Sequence, residues 1–169
     1  MFRARIFTSS AVVVAFAVAG CGESSKSTAA TSSTIQFTNP RIPVSTQQLI
    51  AKTDAACAKI HAMFTGYTVT TQPSLARAAA SIAPMETQTV NGLKKLSPSS
   101  SPASLRSDWE TIVRSLDTLA TNTARVGTYA QQNDLVSARP LIAETNNARL
   151  RILTVAERSG FTGCKVIVR

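Results

Sequence analysis

The sequence predicts an all-α domain, an up-down-up-down four-helix bundle behind a serine- and threonine-rich N-terminal tether. Three observations predict it. Four segments repeat apolar residues at alternating spacings of three and four, the period of a helix with one buried face. Short polar or proline-bearing links join them, which favours antiparallel neighbours. No segment alternates apolar and polar residues long enough to read as a sheet strand.

The first predicted helix covers residues 46–64, with Leu49, Thr53, Ala56, Cys57, Ile60 and Phe64 on one side and Ser45 or Thr46 as its cap. The second covers residues 74–96, using Leu75, Ala78, Ile82, Met85, Thr89, Leu93 and Leu96. Pro84 lies inside it and is expected to kink it, because proline removes a backbone donor and crowds the preceding turn. "SPSSSPAS", residues 97–104, breaks the domain. The third helix, residues 103–132, has the cleanest stripe: Leu105, Trp109, Ile112, Leu116, Leu119, Thr123, Val126 and Ala130. The fourth covers residues 134–159, capped by Asp134, with Pro140 bending or delaying it. Its stripe is Leu135, Ala138, Ile142, Thr145, Ala148, Ile152 and Val155. Gly160 is placed to end it in a left-handed cap, with Phe161 packing back. The tail "KVIVR" has strand propensity but no evident partner.

The N-terminus carries Arg3 and Arg5 ahead of an apolar run over residues 6–19. That run is shorter than the roughly 20 residues a spanning helix needs, and it reads as a secretory leader. It ends in Val18-Ala19-Gly20-Cys21, which resembles the lipobox of bacterial lipoproteins, although leucine is commoner where Val18 stands. The resemblance implies that the leader, residues 1–20, is removed and that the Cys21 thiol receives a diacylglyceryl group. The partner is then the cell membrane, and the location its extracytoplasmic face. Gly22 follows Cys21, so the Asp that favours inner-membrane retention in Gram-negative members is absent. Several acyl chains on one residue meet the requirement for stable anchoring, each buried methylene adding roughly 0.8 kcal/mol. Residues 21–44 form the expected lipidated cysteine and flexible linker, and residues 45–169 the bundle. Residues 22–38 hold few large apolar groups and cannot offset their ordering entropy. As a flexible coil they would span about 23 Å. Pro40 and Pro43 end the tether.

The chain carries 18 basic and nine acidic residues; loss of Arg3 and Arg5 with the leader leaves a net charge of +7. Such a balance suits an anionic wall polymer or membrane surface, an envelope protein of unknown identity being the other expected partner. No nucleic-acid partner is expected, because the basic residues are scattered and the processed chain keeps only Trp109, two Tyr and three Phe. With Cys21 carrying lipid, Cys57 and Cys164 remain, and an oxidising compartment favours a bridge between them, two buried free thiols being the alternative. A bridge would enclose 106 intervening residues and, by chain entropy, stabilise by at most about 4–5 kcal/mol. A redox role would want a C-x-x-C arrangement, which is absent. A helical domain with a cysteine on its first helix and a late "GFTGC" resembles small helical lipoproteins of high-GC Gram-positive bacteria; that resemblance implies no activity.

Chemistry is hard to place. His61 is the single histidine, which excludes paired Glu-x-x-His units, H-E-x-x-H and, with no C-x-x-C-H, covalent haem. His61 with Met63 or, better, Met85 is the only set suited to haem or copper. The small Ala and Thr side chains along the stripes leave little room for a porphyrin, so no cofactor or metal is expected. Glu86 falls at the edge of the second stripe beside Pro84, either as a site or in an ion pair with an arginine. Asp108 and Glu110 diverge on a helix and make no acid–base pair. With no G-x-S-x-G, P-loop or G-x-G-x-x-G, the domain is not expected to be an enzyme. Two classes remain: first, a lipid-anchored interaction or scaffold module at the envelope; second, a small-ligand binder or sensor with a pocket between the first two helices, near His61, Met85 and Glu86. An apolar cavity beside Glu86 favours the second. A solid core with an exposed apolar patch favours the first.

Overall fold

The computed structural model describes residues 41–168. The expected leader, Cys21 and the expected tether up to residue 40 lie outside the described residues. Four long helices form an antiparallel bundle: α1 (Thr46–Thr65), α2 (Gln72–Lys94), α3 (Ala103–Gln131) and α4 (Leu135–Ser159). α2 packs along α3 and α3 along α4, while α1 lies on α2 and on a closing 3-10 helix, Thr162–Val168. Among the described residues no helix is long and apolar enough to cross a membrane.

Helix starts follow the capping residues. The Ser45 hydroxyl accepts from the Gln48 amide while the Gln48 side chain accepts from the Ser45 amide, a reciprocal box that satisfies two otherwise orphan donors. Thr71 and Ser74 repeat it at α2, moving the start of that helix ahead of the expected residue 74. Asp134 caps α4 by accepting from the Ser137 amide at 3.1 Å, and Asn133 before it takes the left-handed conformation. Gly160 ends α4 at φ 79°, a backbone that an L side chain adopts only with strain. α2 and α4 run as continuous helices through Pro84 and Pro140, so Pro140 does not delay α4.

The core is built on α3. Trp109, Ile112, Leu116 and Leu119 are buried against Leu49 and Ile60 of α1, Val90 of α2 and Ile152 of α4. Phe161 folds back into this cluster and is fully buried. Two short features depart from the sequence reading. Ile42–Pro43 (β1) pairs in parallel with Leu96–Ser97 (β2), through the Ile42 amide on the Lys95 carbonyl and the Val44 amide on the Ser97 carbonyl. The tail after Cys164 is not extended but coils as the 3-10 helix, burying Ile167. Cys57 on α1 and Cys164 in that 3-10 helix form a disulfide, their Cα atoms 4.8 Å apart. Gly163 makes the approach feasible: a Cβ there would lie 2.6 Å from the Asp54 Cβ.

Candidate functional site

Glu86 is the most anomalous side chain of the domain. It lies on the buried face of α2, wholly withdrawn from solvent, and neither carboxylate oxygen has a hydrogen-bond partner among the described residues. Burial raises its pKa from 4.5 to about 7. Two neighbours oppose that rise: the Thr123 hydroxyl on α3, which is close without meeting full hydrogen-bond geometry, and the Arg149 guanidinium on α4. The expected ion pair is thus only partly realised. Arg149 acts on Glu86 through its field, yet no oxygen of Glu86 comes within salt-bridge distance; the described ion pairs are Lys94–Asp117 and Arg158–Asp108.

Arg149 is half-buried, and its Nε is enclosed without a partner. Its guanidinium lies over the Phe64 ring, 4.8 Å from the centroid, a cation–π contact from α4 to α1. Loss of hydration lowers its pKa, and the field of Glu86 acts the other way.

These side chains border a cavity of about 190 Å³. Its apolar wall comes from Phe64 at the end of α1, Leu75, Ala78 and Ile82 on α2, and Val126 on α3. Gly127 lets α2 approach there: a Cβ on it would fall 2.8 Å from the Ala79 Cβ. Tyr67 and Val69 of the α1–α2 connection, with Ile142 of α4, stand exposed at the mouth. Polar lining groups come from Thr145, Asn146 and Arg149 on α4 and from Thr123 on α3. Glu86 is one contact removed from the cavity, since both groups that act on it line the wall.

The other expected site residues fall elsewhere. Met85, expected on the buried stripe as the partner of His61, is 37% exposed, because α2 turns Glu86 inward in its place. His61 is half-buried on α1, and neither it nor Met85 lines the cavity. Met63 is buried and packs with Ala78 and Ile82 as core. The pocket therefore draws on all four helices rather than on the first two alone. Among the described residues no cluster of three or more His, Cys, Asp or Glu is arranged to hold a metal ion. Asp108 accepts from Arg158 and Ser159, whose hydrogen bonds hold its pKa below the usual value, while Glu110 is exposed.

Arg149, Thr123 and Phe64 were not singled out from the sequence as site residues. A signal for Arg149 does exist: it follows Ile142 by seven residues and Thr145 by four, which puts a cation on the lining face of α4. Compared with protein-family models, curated proteins and solved structures, the chain matches none of them.

Proposed function

We propose that the domain binds a small, mainly apolar ligand, and that Cys21 anchors it by lipid to the extracytoplasmic face of a bacterial membrane. The observation that carries the binding reading is the cavity itself. It is concave, mainly apolar in its lining and furnished with a few polar groups beside a buried acid of raised pKa. Drug-sized ligands occupy pockets of about 300–1,000 Å³, whereas a dry cavity of about 150 Å³ takes one benzene ring. At about 190 Å³ the site suits a single ring or one short chain. Nothing in the residues around it calls for a reaction, so the proposal is binding without catalysis or cofactor.

Titration of the mature full-length protein with 1-octanol, followed by the methyl resonances of Ile82 and Val126, should saturate. Leu75→Trp, which fills the mouth from a half-buried position, should abolish the response. Absence of any saturable shift in the unsubstituted protein would refute the binding reading. For the anchor, the protein made in a bacterium with the lipoprotein pathway should enter the detergent phase, and Cys21→Ala should not; equal partitioning of the two would sink it.

A second reading, the envelope scaffold, has its own support. Leu135 and Val136 stand exposed at the start of α4, Val136 at 75%, with exposed Arg139 within a turn. An acidic envelope protein or wall polymer would suit that end of the helix. Recovery of a partner from membranes that Val136→Asp abolishes would support it; identical recovery with the variant would exclude this surface.

A further inference from the structure

We propose that the ligand is a single-chain anionic amphiphile, with its chain in the apolar cavity and its carboxylate or phosphate head on the Arg149 guanidinium. This rests on the pocket reading and adds the chemistry of the head group.

The cavity is itself amphiphilic. Phe64, Leu75, Ile82 and Val126 supply apolar lining, and Thr123 of α3 with Thr145, Asn146 and Arg149 of α4 supply polar groups. Such a division orients a molecule with two unlike ends. A two-chain lipid would need a far larger space than about 190 Å³, so one chain is the limit.

Arg149 supplies the sign. Among the described residues its guanidinium makes no hydrogen bond and no salt bridge, although its Nε is enclosed. An enclosed donor without a partner is costly, and the two terminal nitrogens, not enclosed, remain open to meet an incoming anion. The one acid that acts on it is Glu86, which burial leaves about half protonated at pH 7 and more so below it. Stacking on Phe64 holds the planar fork at the cavity wall, and a guanidinium fork matches a carboxylate or phosphate edge through paired donors.

Glu86 and the ligand head then share one cation. The groups that act on Glu86 are the Thr123 hydroxyl from α3 and Arg149 from α4, and no group of α1 is among the described influences on it. An anion bound at Arg149 disfavours ionised Glu86, so binding takes up a proton and weakens as pH rises from 6 to 8.

The test titrates the mature full-length protein with octanoate, octyl phosphate and 1-octanol at pH 6 and pH 8, by calorimetry and methyl chemical shifts. At pH 6 at least one anionic probe should bind tenfold or more tighter than octanol, and severalfold tighter than it does itself at pH 8. Arg149→Met should remove the preference of the anionic probes over octanol, Arg149→Lys should retain part of it, and Glu86→Gln should flatten the pH dependence of octanoate. If octanol binds as tightly as both anions, the head-group inference falls and the pocket reading stands. If none of the three binds, the pocket reading itself has failed. The probe comparison needs no variant, so a poorly folding Arg149→Met would not shield the inference.

Discussion

Arg149 and Phe64 join the two ends of the bundle's sequence, the guanidinium on α4 resting 4.8 Å from the ring centre on α1. Such a contact contributes about 0.5–1 kcal/mol when exposed and about 2 when desolvated. A double-mutant cycle of Phe64→Leu and Arg149→Met, read by chemical denaturation, should show a coupling of about 1 kcal/mol, since the guanidinium is half-buried. Additive losses would show that the stacking contributes nothing.

Glu86 makes stability depend on pH. Its folded pKa of about 7 stands above the ordinary 4.5, so between those values the folded state holds a proton that the unfolded state has released. The stabilisation is complete below pH 4.5 and is lost as pH rises to 7, by about 3 kcal/mol in all. Glu86→Gln should abolish that slope and be the more stable form at pH 8. Denaturation midpoints that do not change between pH 5 and pH 8 would contradict the burial of a titrating acid.

The helices were legible because their apolar spacing is long and regular, and the α3 stripe from Trp109 to Ala130 is buried almost throughout. Glu86 stands out in the sequence as a candidate at the stripe's edge, but its full burial was not legible, for a definite reason. Starting at Ile82, residues 85, 89 and 93 and residues 86, 90 and 93 both advance by threes and fours. Hydropathy chooses the first set because it contains Met85. Packing chooses the second, because Val90 belongs to the core shared with α3 and Glu86 lies in phase with it. The same ambiguity on α4 buries Leu141 and leaves Ile142 at the cavity mouth. Two-residue strands carry no alternation to detect. The "KVIVR" tail has strand-forming residues, yet a disulfide and the contact of Gly163 with α1 coil it, tertiary restraint overriding propensity.

The Cys57–Cys164 bridge should dominate the stability of this small domain. Replacing both cysteines with alanine should lower the unfolding free energy by up to about 4–5 kcal/mol, measured in denaturant against the oxidised parent. Two alkylatable thiols in protein isolated from its native source would show that the bond does not form in place.

Close approach at Gly163 gives a sharper local expectation. Gly163→Ala puts a methyl 2.6 Å from the Asp54 Cβ and 2.9 Å from its Cα, so the 3-10 helix must shift, at about 1–3 kcal/mol. Gly92→Ala on exposed α2 meets nothing within 4 Å and should stabilise by about 0.5–1 kcal/mol. Opposite signs in thermal unfolding check both; a Gly163→Ala that does not destabilise would mean that the packing of the 3-10 helix on α1 is looser than described.

The disulfide also changes what a protease can achieve. Residues 57–164 form a covalent ring, and only residues 41–56 and 165–168 of the described chain hang outside it. A single cut in the exposed α1–α2 connection, or anywhere else in the ring, opens it without releasing a fragment. The nicked molecule keeps its mass, apart from one added water, and its four helices stay tethered at high local concentration, free to re-pack. Severance takes two cuts, or one cut and a reductant.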